Sequence, residues 1–139
     1  MGDGPYRDAC LAMAMRADLA SSLNFLESDA SVTTLLNRSD ILILPSANEG
    51  LALVCFEAVR QGVIPVSTDV GAQRELLPQS LLTHPEPFRC VRQTVNIVRR
   101  LVTDQSFLKE AALELAKNYT NIASEPNAED VFMKIYQSI

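Results

Sequence analysis

A chain of 139 residues, 47% apolar and 21% charged, reads as one soluble globular domain long enough to bury a real core. Its net charge of −5 argues against a nucleic-acid partner, since phosphate backbones call for a basic surface. No apolar run approaches the roughly 20 residues of a membrane span, and the opening MGDGPYRD lacks both regions of a secretory signal. The expected location is therefore cytoplasmic, with peripheral attachment to the inner face of a membrane as a variant.

In chain order, residues 5–20 carry Ala, Leu and Met at helical spacing after a GDGP turn and predict a helix. Leu23 to Leu26 is a short strand candidate. Ser31 to Asn37 begins with a capping serine and reads as a short helix. The continuous apolar run ILILP at 41–45 is expected as a strand buried on both faces of a parallel sheet. Residues 51–61 predict the next helix and 63–70 the next strand. GAQRELL, from Gly71, opens a short helix, and Leu81–Leu82 a last short strand. The remainder is expected to be helical, with core stripes at Val91, Val95, Val98 and Val102, then at Leu108, Ala111, Leu115 and Tyr119. A final helix is expected from about Ala128 to Gln137. Alternation of this kind defines an α/β, Rossmann-like parallel sheet flanked by helices.

Ligands of such a sheet sit beyond the carboxyl ends of its strands, on the turns that lead into helices. Loop 45–51 is such a turn. The N–H groups of Gly50, Leu51, Ala52 and Leu53 are expected to point into it unpaired, at a helix start that favours negative charge. Turn 69–72, with Gly71, repeats the layout one strand over, and two such turns suit a diphosphate. Glu49 and Glu57 interrupt a stretch that is otherwise almost wholly apolar. Carboxylates rarely sit there without reaching solvent or a partner, and they are good acceptors for vicinal diols. Cys10, Cys55 and Cys90, far apart and with His84 as the one histidine, read as buried reduced thiols and not as a metal site. Arg89, Arg92, Arg99 and Arg100 read as a solvated face opposite the valine stripe, in preference to an anionic-membrane contact.

The run from Val32 to Leu77 resembles the donor-binding, C-terminal half of retaining family-4 glycosyltransferases, which have the two-domain GT-B fold; the resemblance is carried by LLNRSDILILPSANEGLALVCFEAVRQGVIPVSTDVGAQRELL, residues 35–77. The resemblance rests on the E-x7-E spacing of Glu49 and Glu57, the Gly62–Pro65 turn and the Gly71-to-Glu75 turn. GDGP at 2–5 and LNFLE at 23–27 match earlier parts of the same domain. It implies transfer of a sugar from a nucleotide-sugar to an acceptor with retention, in glycan, lipid-linked or polysaccharide synthesis. Glu49 would meet the donor sugar as the catalytic carboxylate, the 50–53 backbone its phosphates and Glu57 the ribose, with Ser46 and Gly71 also binding the donor. No cofactor is implied, and the family is generally metal-independent.

Ala52 and Ala72 stand where the family often has glycine. Relative to the family domain, the first two strands, with their arginine and lysine, and the acceptor-binding domain are expected to be missing, which leaves the isolated chain inactive. A GT-B sugar-nucleotide epimerase fragment and a non-catalytic nucleotide-binding or scaffolding module are the alternatives. Loss of those strands exposes the 41–45 edge. Either the 23–26 strand pairs with it, or a second chain does.

Overall fold

The structure, a computed structural model, describes residues 4–26 and 30–124. The chain divides into two compact units, Met1–Leu35 and Leu36–Ile139. In the first, helix α1 covers Arg7–Arg16, shorter at both ends than predicted. It stops because Asp18 takes a left-handed φ of 54°. The Leu19 N–H then donates to the Ala14 carbonyl at 2.9 Å, and the Asp18 N–H to that of Met15 at 3.2 Å. This is a Schellman ending with aspartate where glycine is usual. Cys10 is exposed, so the expectation of three buried thiols fails there; Cys55 and Cys90 are buried.

A 3₁₀ turn follows at Ala20–Ser22, and Leu23 is extended, with φ −121° and ψ 133°. The strand expected at 23–26 does not form, because among the described residues no neighbour takes up its ladder groups. Helix α2, Val32–Leu36, spans the boundary of the units. Ser31 caps it as expected, its hydroxyl accepting from the Thr34 N–H at 3.3 Å.

The second unit holds a parallel sheet of β1 (Ile41–Leu44), β2 (Ile64–Thr68) and β3 (Leu82–Thr83), in that order. Ile41 lies opposite Ile64, and Ser67 opposite both Leu44 and Leu82. Pro65 is tolerated in the middle strand. The Ile64 N–H donates toward β1, to the Asp40 carbonyl, so Pro65 faces the other side, where β3 begins only opposite Ser67. β1 is half-buried, with Ile43 48% exposed, and not buried on both faces as predicted. It stands at the sheet edge and pairs only with β2 among the described residues, so the rescue by residues 23–26 is not realised.

Helix α3 (Leu53–Arg60) leads from β1 to β2 and ends on Gly62 at φ 78°, a turn that needs glycine's freedom. Helix α4 (Gln73–Leu76) and a 3₁₀ turn at Gln79–Leu81 lead to β3; α5 (Pro87–Thr103) and α6 (Gln105–Ser124) follow. The core joins Cys55, Val66, Leu76, Leu81, Ile97, Leu101, Phe107 and Leu115. The α6 stripe faces it as predicted, with Ala111 and Leu115 buried and Leu108 and Tyr119 packed alongside. The α5 stripe does not. Val91, Val95 and Val102 are exposed, and the core face is Cys90, Ile97 and Leu101. The helix predicted at 128–137 lies outside the described residues.

Candidate functional site

Both strand-to-helix turns are fixed from beneath by hydroxyls at the carboxyl ends of β2 and β3. Buried Thr68 donates its Oγ1 proton to the Ser46 carbonyl at 2.6 Å, and Ser67 Oγ lies 3.2 Å from the Leu44 carbonyl. Thr83 Oγ1 lies 3.3 Å from the Ser67 carbonyl. The end of β1 is thereby tied to the end of β2 just where the chain leaves the sheet.

The turns also touch. The Ala72 N–H donates to the Gly50 carbonyl at 2.9 Å, and Gly71 adopts a left-handed φ of 57°. A Cβ on Gly71 would overlap the carbonyl oxygens of Glu49 and Gly50 and lie 2.9 Å from the Glu49 carbonyl carbon. Only glycine permits both the angle and the approach. A Cβ on Gly50 would meet nothing within 4 Å, so the chain itself does not demand glycine there and the space beside it is open.

Ala52 precedes α3 without a side-chain cap. The Cys55 N–H turns back to the Ala52 carbonyl at 2.9 Å. Among the described residues the N–H groups of Gly50, Leu51, Ala52 and Leu53 donate to no backbone carbonyl and no side chain. These are donors at the positive end of a helix.

Glu49, half-buried, accepts a hydrogen bond on Oε1 from the Ser46 hydroxyl at 2.7 Å, which leaves its other lone pairs free. Burial pushes the Cys55 thiol up to about 11, with the charge of Glu49 as the second cause, so this cysteine stays protonated. Ser46, Glu49, Gly50 and Gly71 are thus brought together. Leu53 and Glu57 stand on the exposed face of α3 with Arg60, opposite buried Cys55 and Ala58. The Glu57 carboxylate has no hydrogen-bond partner among the described residues, and it lies about 6 Å along the helix from Leu53. It joins the turn by position on α3 and not by a bond to the Glu49 cluster.

Asp69 and Arg74 were not singled out by sequence. Arg74 Nε donates to Asp69 Oδ1 at 2.5 Å, and Nη2 pairs with Oδ2. The Arg74 hydrogen bond holds the Asp69 carboxyl below its ordinary 3.8 and raises Arg74 in turn. Sequence offered one signal for this group: S-T-D at 67–69, closing the otherwise apolar run 63–66, is a polar tip, placed where a turn has to be anchored. His84 lies in the loop after β3, and its Nδ1 accepts from the Glu86 N–H at 3.0 Å.

With this geometry in view, similarity to known proteins narrows the class. The family profile described as "Glycosyl transferases group 1" matches residues 1–121, and the chain belongs to that family. The solved structure of a sucrose-phosphate synthase from Thermosynechococcus elongatus superposes on 98% of the chain, and on 35% of its own, with a TM-score of 0.69 at 18% identity. The fold is therefore a partial GT-B fold, α/β with a parallel sheet flanked by helices. Among curated proteins, the phosphatidylinositol N-acetylglucosaminyltransferase GPI3 subunit of Saccharomyces cerevisiae (strain YJM789) is 26% identical over 93% of this chain and 32% of its own length. The N-acetyl-alpha-D-glucosaminyl L-malate synthase of Bacillus anthracis is 32% identical over 55% of this chain and 20% of its own. The chain spans about a third or less of the length of these relatives.

Proposed function

We propose that this chain is the donor-binding part of a retaining glycosyltransferase. One observation carries the reading. Among the described residues the four N–H groups of Gly50 to Leu53 have no partner, at the start of α3 and in the same turn as Glu49, in a group 1 glycosyltransferase. Those donors suit the diphosphate of a nucleotide-sugar, whose leaving charge preorganised N–H dipoles stabilise. Glu49, oriented by Ser46, accepts from sugar hydroxyls beside the reacting carbon. Glu57 accepts from the ribose, and Gly71 keeps the second turn close enough to complete the cradle. Both curated relatives are named for N-acetylglucosaminyl chemistry, which makes a nucleotide-linked N-acetylglucosamine the first donor to test. The acceptor belongs to glycan, lipid-linked or polysaccharide synthesis, in the cytoplasm. The relatives are about three times as long, so we assign transfer to a two-domain enzyme and expect this chain alone to bind donor weakly and to transfer nothing. Its β1 edge, unpaired on one side among the described residues, is our candidate for self-association, to be read by sedimentation.

Calorimetry of the full chain with nucleoside diphosphates and their sugar conjugates tests the site. Glu57→Gln should weaken both ligand classes by roughly tenfold or more, the loss of a charge-assisted hydrogen bond. Glu49→Gln should weaken only the sugar conjugate. Binding that ignores both substitutions, or no binding at all, would remove the assignment.

A further inference from the structure

Helix α5 carries four charged residues, and all are arginines: Arg89, Arg92, Arg99 and Arg100, a third of the twelve basic residues of an acidic chain. Arg100 is engaged, its guanidinium lying 3.8 Å from the centroid of the Phe107 ring. The other three make no ion pair among the described residues. Along the same helix Phe88, Val91, Val95 and Val102 are 87%, 65%, 52% and 69% exposed. At about 100° per residue these four occupy one sector, with Arg92 and Arg99 along its border and not opposite it as the sequence suggests. The sector runs some 20 Å, from the first turn of α5 to the last.

We infer that this face of α5 docks on the surface of an anionic phospholipid bilayer. Valine and phenylalanine side chains enter the acyl boundary, while Arg92 and Arg99 meet lipid phosphates. Charge complementarity names the occupant, because the helix is of a single sign within a chain of net charge −5. Shape agrees with it. The stripe is a convex, continuous helix face of valines and one phenylalanine, without the buried aromatic anchors of a protein hot spot. Beside it, Arg92, Gln93, Val95, Asn96 and Arg99 share one open surface of the helix, where both guanidiniums can meet lipid phosphates. Val91 also lines a cleft of about 210 Å³ with Pro45, Ala47 and Thr68. The stripe therefore begins beside the turn that carries Ser46 and Glu49, and docking brings the carboxyl ends of the strands to the lipid surface.

Flotation of the full chain with vesicles of phosphatidylcholine, with and without phosphatidylglycerol, tests this without any nucleotide, so its failure is separate from failure of the donor site. Binding should require phosphatidylglycerol and fall with added salt. Arg92→Gln with Arg99→Gln should cut partitioning on the order of 30-fold. Val95→Asp should cut it by about tenfold or more. Lys109→Gln with Lys117→Gln on α6 should change it little. Circular dichroism and a melt check each variant, and the arginine pair decides if Val95→Asp unfolds. No binding, equal binding to neutral vesicles, or an arginine variant that behaves like the lysine control overturns the inference. So does a dimer in sedimentation that Val95→Asp dissolves, which would place a second copy on the stripe.

Discussion

Helices α5 and α6 pack against each other, yet they use their apolar residues differently. α6 turns Phe107, Ala111 and Leu115 inward and packs Leu108, Tyr119 and Ile122 beside them, so its apolar residues, exposed Leu113 apart, serve one core. α5 has two sectors, Cys90, Ile97 and Leu101 on one side and the valines with Phe88 about 120° round from it. Only one sector can face the sheet. The longer side chains of Ile97 and Leu101 take that place. The phase is held by Glu86, whose carboxylate accepts from the N–H groups of Phe88 at 3.1 Å and Arg89 at 3.0 Å, and by Arg100 over the Phe107 ring. A clean stripe marks a face that wants cover. It does not say which neighbour provides it.

Cys90 sits on the inward sector of α5 and so reports its phase. In the native chain a thiol reagent should modify exposed Cys10 at once. Cys55 and Cys90 should react only through opening, slower by a factor on the order of 10³ or more. Mass spectrometry of labelled peptides reads all three. Rapid labelling of Cys90 would mean that α5 turns its valines inward in solution.

Truncating the inward sectors should cost the most stability. Leu101→Ala on α5 and Leu115→Ala on α6 each remove a nearly fully buried side chain, and each should lose about 2–5 kcal/mol in urea unfolding. A loss confined to Leu115→Ala would show that α5 contributes little to the core.

Physical locality decides how much of this could be read from the chain. Turn 45–53 was legible because its chemistry is local: a strand closed by Pro45, a glycine, then a helix start. Gly71 was legible for the same reason, although its closeness to the Glu49 carbonyl was not. The phase of α5 depends on partners far along the sequence and could not be decided between two stripes of similar quality. Residues 23–26 carry strand-like side chains, but a strand exists only where a neighbour completes its ladder. Asp18 hid the end of α1, since the left-handed position usually shows glycine. Ser67 and Thr68 were read only as part of a strand, and their hydrogen bonds to the neighbouring strand emerge with the sheet register.

Acid should strip both helices of their caps. The N–H groups of Arg89 and then Phe88 hold the Glu86 carboxyl below its ordinary 4.5. The Ser106 hydroxyl, followed by the Phe107 N–H, holds Asp104 below 3.8. Groups lowered in the folded state contribute stability that is present above their unfolded pKa and lost as pH falls through the folded one. The melting temperature should therefore hold above about pH 5 and drop below about pH 4. Glu86→Gln and Asp104→Asn should each lower it at neutral pH and flatten the acid limb. An acid limb unchanged in both variants would place the titrating groups elsewhere, with the Asp69–Arg74 pair next to examine.

The smallest expected effect separates the two helices most sharply. At an exposed helix position, replacing valine by alanine removes little buried area and relieves the restriction that a β-branched side chain suffers against the preceding turn. Val95→Ala and Val102→Ala should therefore be neutral or stabilising, within about 0.5 kcal/mol of the parent chain. The matching change on α6, Ala111→Gly, removes a buried methyl and adds backbone freedom, so it must destabilise. Paired urea titrations read the difference directly. If Val95→Ala instead loses more than about 1 kcal/mol, the valine sector is covered within the folded chain, and the lipid surface has no stripe to meet.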